Sequence, residues 1–313
     1  MSLKNMMVML IVGTALFGCS KSAPSVQFNV INMHEHMESE KMVPKVLSWM
    51  RQNRIESTVL LGSPKATFEL GGQGFSHFEN NNEMVLKVAK KYPTKFIAFP
   101  TVNPSDPKLE EKLTDYLKQG AKGIKLYGGH GNFHKLPLDS EAYLKVYEFC
   151  RKNSLPIIFH VNLGLFHAEF DNVLHNYPDL KIICPHFCLS SGNLPRLQKL
   201  LDTYPNLFTD ISFGYLRFLH AGFKRISKNS EQFRQFFDRY RERIFFGTDM
   251  VVTSAEFKDA WWMNQVADSY RQILEKPEVR LFFAPHEPLR GLSLDRDILD
   301  RIYYENAKEF IKN

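Results

Sequence analysis

Hydrophobic positions along this chain alternate between two patterns. Short apolar runs, the mark of strands buried on both faces of a parallel sheet, occupy 28–37, 57–62, 96–102, 123–127, 156–161, 181–187, 207–213 and 243–248. Between them lie segments with helical spacing at 44–50, 83–91, 107–119, 140–153, 170–176, 194–203, 231–242 and 256–274. Pro44 opens the first of these, where a missing N–H costs nothing. Several helices stop at a Tyr-Pro pair (Tyr92-Pro93, Tyr177-Pro178, Tyr204-Pro205), because proline bars continuation. Eight strands, each followed by a helix, predict an α/β fold of the (β/α)8 TIM-barrel kind. The tail 294–311 adds one or two extra C-terminal helices that close the barrel. A doubly wound open sheet is the alternative, weakened because no Gly-x-Gly-x-x-Gly follows the first strand.

What precedes the first strand reads as targeting rather than fold. Lys4 gives a small positive start, and 6–17 is an apolar stretch too short to span a bilayer. Leu16-Phe17-Gly18-Cys19 resembles a bacterial lipobox, cut before the Cys and lipidated on its thiol. An ordinary signal peptide with a chance Cys is the plainer alternative. The expected organisation is a lipoprotein signal peptide at 1–18, the lipidated Cys19 with a short tether at 19–27, and one barrel domain at 28–313. That places the protein in the bacterial cell envelope, anchored to a membrane. Ser20 after the Cys points to the outer membrane if the cell has two.

Composition changes this picture little. The net charge of +6, from 40 Lys and Arg against 34 Asp and Glu, is scattered through helical segments among acids. A solvated surface accounts for it better than nucleic acid, which is not expected as a partner. Cys184 and Cys188 would lie about 13 Å apart on an extended strand, too far for a disulfide. Small buried Cys used for packing is the expectation there, with a soft-metal site beside His186 as the alternative.

Polar residues at the C-terminal ends of the strands carry the candidate chemistry, since that face of a barrel is where active sites form. His34-Glu35-His36 ends the first strand, and residues two apart point to one face with Cα atoms about 6.6 Å apart, a spacing at which two imidazoles can share a divalent ion such as zinc. Lys125 lies in the fourth strand, His160 ends the fifth, His186 the sixth and Asp249 the eighth. Singly each has a plainer account. A lone His is ordinarily a hydrogen-bonded core residue, Lys125 can reach past the strand end to water, and Asp249 can cap the next helix. Placed together at strands 1, 5, 6 and 8, they fit a metal site.

In this combination the sequence resembles the amidohydrolase superfamily, and within it the group that includes aminocarboxymuconate-semialdehyde decarboxylase. The resemblance covers roughly 28–312. It rests on His34-Glu35-His36, His160, His186 and Asp249, on Gly120-Ala121-Lys122-Gly123-Ile124-Lys125-Leu126, on Phe246-Gly247-Thr248-Asp249 and on Ile302-Tyr303-Tyr304-Glu305-Asn306-Ala307. It implies a metal-dependent barrel enzyme, with His34, His36, His160 and Asp249 around one divalent ion, most simply zinc. Asp249 would also serve as general base, and His186 would steady a developing oxyanion or pass a proton. In binuclear relatives a strand-4 lysine is carboxylated and bridges two metals. Lys125 can play that part or contact a substrate carboxylate, and one ion is preferred over two.

Loop residues placed to line the pocket are His130 and His134, Tyr215 and Arg217, and His286 and Arg290. Tyr215 and Arg217 would suit a carboxylate or phosphate. Gly71-Gly72-Gln73-Gly74 reads as a mobile loop rather than a phosphate cradle, because no Lys-Ser/Thr follows. The expected function is hydrolysis of an amide, ester or lactone in a small-molecule substrate. Non-oxidative decarboxylation of a small carboxylic acid is the alternative, and a surface-anchored binding protein without turnover the third. A homodimer is left open.

Overall fold

The computed structural model describes residues 28–69, 72 and 74–312. Cys19, the lipobox and the tether therefore lie outside the described residues, as do Gly71 and Gln73 of the glycine loop. Eight parallel strands line the barrel: β1 (Val30–Glu35), β2 (Ile55–Leu61), β3 (Phe96–Phe99), β4 (Ile124–Gly129), β5 (Ile157–Val161), β6 (Ile182–Cys184), β7 (Leu207–Asp210) and β8 (Ile244–Phe245). They pair in sequence order within two groups, β1 to β3 and β4 to β8. Thr101 and Lys125 bridge the groups on one side. On the other, the amides of Met33, Asp249 and Val252 donate to the carbonyls of Phe246, His34 and His36 at 2.9, 2.9 and 2.7 Å. The ring is closed, and the chain is a (β/α)8 barrel.

Helices α1 (Val43–Gln52), α2 (Phe78–Lys91), α3 (Leu109–Lys118), α4 (Glu141–Lys152) and α5 (Leu163–Asn176) follow the first five strands in turn. After β6 the chain makes a short turn, α6 (Pro185–Cys188), before α7 (Leu194–Thr203). Two helices, α8 (Leu216–Lys228) and α9 (Ser230–Arg239), follow β7, and α10 (Ala260–Glu275) follows β8. The strand residues whose side chains face these helices join them in one large apolar cluster. Inside the barrel a second cluster of Ile31, Met33, Val59, Leu61, Phe99, Ile158, Ile183 and Phe245 fills the lower half. Ala307 and Phe310 of α12 (Asn306–Lys312) plug its base, the Phe310 ring lying 5.1 Å from those of Phe208 and Phe245. The expected tail helices are α11 (Arg296–Asp300), a π-helical turn over Arg301–Glu305, and α12.

Several expectations need correcting. Strands β6 and β8 are shorter than their apolar runs, because the backbone leaves the ladder after Cys184 and Phe245. His186 and Asp249 thus sit past their strands, in left-handed conformations at φ 59° and 48°. Cys184 and Cys188 are joined by a disulfide, contrary to the expectation of free packing thiols. The distance argument assumed an extended strand, whereas four successive left-handed residues, His186 to Leu189, coil the chain and bring the Cα atoms to 5.1 Å. Helix α8 has no counterpart among the expected segments, although its buried Leu219, Phe223 and Ile226 have helical spacing. His286 and Arg290 belong to an antiparallel hairpin, β9 (Glu278–Leu281) with β10 (Ala284–Arg290), that the sequence reading also lacked. Among the described residues no helix is long and apolar enough to cross a membrane.

Candidate metal centre

The site begins with an irregularity in β1. Asn32 pairs with Thr58 but Glu35 with Leu60, so one extra residue enters β1 between them. Such a bulge re-aims side chains. Ile31 and Met33 pack in the barrel interior below it, and His34 and His36 point into the interior above it. The displaced Glu35 turns instead toward the loop after β8. It accepts from Thr248 Oγ1 at 2.7 Å and from the Val251 amide at 3.0 Å, fixing that loop against β1. Burial pushes the Glu35 carboxyl up to about 7, against the hydrogen bond from Thr248. The loop so held presents Asp249.

Hydrogen bonds set which imidazole nitrogen is free. His34 Nδ1–H donates to Asp210 Oδ2 at 2.7 Å. His36 Nδ1–H donates to Ser63 Oγ at 2.7 Å, whose own hydroxyl donates to the Leu61 carbonyl at 2.9 Å. Both assignments leave Nε2 as a lone pair, the arrangement that outer partners impose on ligating histidines. The two Nε2 atoms lie 3.3 Å apart, and Asp249 Oδ1 is 3.7 and 3.4 Å from them. A point equidistant from atoms at those separations lies about 2.0 Å from each, the zinc–nitrogen and zinc–oxygen bond length. Two facing lone pairs and a carboxylate oxygen repel one another unless a cation sits between them. The residues fit a divalent ion.

His186 stands on the other side of the carboxylate, its Nε2 3.8 Å from Asp249 Oδ2 and its Nδ1–H directed to the Ser212 carbonyl at 3.0 Å. Burial pulls the His36 and His160 imidazoles well below their usual range, and His186 in the same direction against the opposing charge of Asp249. These rings are therefore neutral near pH 7. His160 lies between His130 and His186, with ring centroids 4.6 and 4.9 Å away, and its buried Nε2 has no partner among the described residues. It adjoins the His34–His36–Asp249 triangle without being one of its three converging atoms. Lys125 rises from the barrel floor, 1 % exposed, with Nζ 4.9 Å from the Tyr127 ring centre. Burial pulls its ammonium down to about 8, with Asp249 and then Asp210 opposing.

Among the loop candidates, Tyr215 caps α8 one residue after Gly214, which touches Asp249. A Cβ on Gly214 would lie 2.7 Å from Asp249 Oδ2 at a φ of +71°, so glycine is required there. His130 lines the site through His160, whereas His134 pairs with Glu169 at 3.0 Å and stacks on Phe166. Arg217, His286 and Arg290 are exposed on α8 and β10.

The sequence reading missed Asp210. It is fully buried, and its Oδ1 accepts from the His186 amide at 2.9 Å, the Ser212 amide at 3.0 Å and Ser212 Oγ at 2.6 Å. Burial opposes its ionisation, yet His34 and the hydrogen bonds it accepts hold the carboxyl well below the usual range. His34, His186 and Asp210 also place nitrogen and oxygen atoms close together. That grouping is a hydrogen-bonded support, because donors already engage both Asp210 oxygens. A charged residue interrupting the run 207–213 was the available signal, weaker than the one at Asp249 because the run continues past it.

Fold and site together define a (β/α)8 barrel of enzyme type, with its polar centre at the C-terminal face of the strands. An amidohydrolase family profile matches residues 64–312, and the chain belongs to that family. The match begins after His34 and His36, whose inclusion rests on geometry. No curated sequence matches the chain significantly. Solved structures share the fold at low identity. A probable 2-pyrone-4,6-dicarboxylic acid hydrolase from Acinetobacter baumannii is 15 % identical with a TM-score of 0.62, covering 91 % of this chain and 100 % of its own. The 5-carboxyvanillate decarboxylase of Novosphingobium aromaticivorans, complexed with manganese, is 14 % identical with a TM-score of 0.57, covering 91 % and 96 %. The 2,6-dihydroxybenzoate decarboxylase of Rhizobium is 16 % identical with a TM-score of 0.54, covering 91 % and 99 %.

Proposed function

We propose that this amidohydrolase is a hydrolase that holds one divalent ion, zinc, and adds water to an amide, ester or lactone bond of a small molecule. The observation that carries the reading is the convergence of His34 Nε2, His36 Nε2 and Asp249 Oδ1 at metal-ligand separations. The unpartnered Nε2 of His160 supports that ring as a further ligand. A divalent ion bound there acidifies water and polarises a carbonyl. Asp249 would accept the proton of the attacking water at Oδ2, the oxygen facing His186. His186, neutral with its proton on Nδ1, would take that proton from Asp249 Oδ2 at its free Nε2 and pass it to the leaving group. Asp210 and Ser63 hold His34 and His36 in their ligating tautomers throughout.

Decarboxylation is the second reading, favoured by the presence of decarboxylases among the structural neighbours. Incubating the metal-loaded full chain with panels of lactones, amides, esters and aromatic acids separates the two. Hydrolysis of a lactone, amide or ester, lost on chelation and restored by about one equivalent of zinc, is the expected result. Release of CO2 with no hydrolysis would replace the first reading by the second.

We also propose that the protein is tethered through lipidated Cys19, on the strength of Leu16-Phe17-Gly18-Cys19. Cys19→Ala is expected to abolish fatty-acid labelling and shift the protein out of the membrane fraction. Unchanged fractionation would refute the anchor.

A further inference from the structure

Lys125 is the charged group at the centre that the proposed reaction leaves unused. Its neighbours Ile124 and Leu126 face the surrounding helices, so Lys125 faces the interior, level with Ile158 in the ladder and below Tyr127. Among the described residues its ammonium touches the Tyr127 ring and has no carboxylate within 4.0 Å, Asp249 and Asp210 acting on it only from further away. Other buried charges in this barrel are satisfied: Asp210 by four hydrogen bonds, Glu35 by Thr248 and backbone amides, and Lys258 by the carbonyls of Met250 and Val251. A buried ammonium with no anion in contact is costly, and the more distant Asp249 and Asp210 offset that cost only in part, since burial still pulls the group down. An apolar residue such as Ile158 would fill the position without that cost.

We propose that Lys125 is a specificity-determining residue, receiving a carboxylate of the substrate at the floor of the site while the bond to be broken lies above it at the His34–His36–Asp249 triangle. The substrate class is then a small carboxylic acid that also carries a lactone, ester or amide. This rests on the hydrolase reading for the position of the reacting bond, but the anion site stands or falls separately. The alternative use of Lys125, as a bridge between two ions, would leave no room for the anion and would make metal content depend on the lysine.

The test uses the full chain loaded with zinc and compares benzoate with benzamide by calorimetry, so no turnover is required. Wild type is expected to bind benzoate at least about tenfold more tightly than benzamide, the ratio that one charged hydrogen bond supplies. Lys125→Met is expected to erase that preference, to keep its zinc, and to unfold at a higher temperature than wild type without probe, since the unpaired charge is gone. Lys125→Arg, which retains the charge, keeps part of the preference and covers the case in which the methionine variant does not fold. Equal affinity of wild type for the two probes, benzoate affinity unchanged in both variants, or zinc lost with Lys125 would each overturn the proposal. Absence of hydrolysis on every panel with the benzoate preference intact would instead count against the hydrolase reading alone.

Discussion

Asp249→Asn is expected to reduce kcat/KM by about 10³-fold or more, within the range that general-base loss spans, and to weaken zinc binding at least as much as loss of an outer partner does, about 10–100-fold. Asparagine is the informative replacement. Asp249 has φ 48°, a left-handed conformation that Asn tolerates and most residues do not, so the backbone stays in place. The amide nitrogen can be neither ligand nor base. If it turns toward the imidazoles, it puts N–H groups where Oδ1 stood 3.7 and 3.4 Å from two lone pairs. The unfolding temperature should hardly move, because the side chain sits at the mouth of the site rather than in the apolar core. Turnover within tenfold of wild type and one retained equivalent of zinc would show that the carboxylate neither holds the ion nor takes the proton, and the metal centre would have to be sought elsewhere.

How far the sequence revealed this centre depends on what each residue does. His34, His36, His160, His186 and Asp249 were visible because each interrupts or ends an apolar run, and a buried strand carries a polar group only where something satisfies it. The same rule covered Asp210, but its run continues as Ile211-Ser212-Phe213, and the alternation there reads as a half-buried strand rather than an ending one. The bulge in β1 was invisible, because a one-residue shift in pairing depends on β2 and leaves no mark in β1 itself. The coil over His186–Leu189 was equally hidden: none of its residues is glycine, the usual marker of left-handed backbone. Cys184 and Cys188 were the only hint of that coil, and an assumed straight strand made their spacing point the wrong way. Local pattern thus placed the strands and most helices, whereas the aim of each side chain came from tertiary contacts.

Asp210 is where the second large effect is expected, and its two replacements should separate two roles. Asp210→Ala removes the acceptor for the His186 amide, the Ser212 amide and Ser212 Oγ in a fully buried position, and should destabilise the barrel by about 3–5 kcal/mol, the cost of breaking a buried charged network. Asp210→Asn can keep its remaining oxygen toward those three donors, so most of that stability is retained. What it cannot keep is the acceptor for His34 Nδ1–H, now faced by an amide N–H at the position of Oδ2. His34 is then driven to the tautomer with its proton on Nε2, the atom 3.3 Å from His36 Nε2 where the ion belongs. Zinc affinity should therefore fall about 10–100-fold in the asparagine variant with only a small change in denaturant midpoint, while the alanine variant loses both. Denaturant unfolding paired with zinc titration reads the two quantities independently. If the asparagine variant bound zinc as tightly as wild type, His34 would not depend on Asp210 for its tautomer, and the carboxylate would be a structural post for the turn that carries His186.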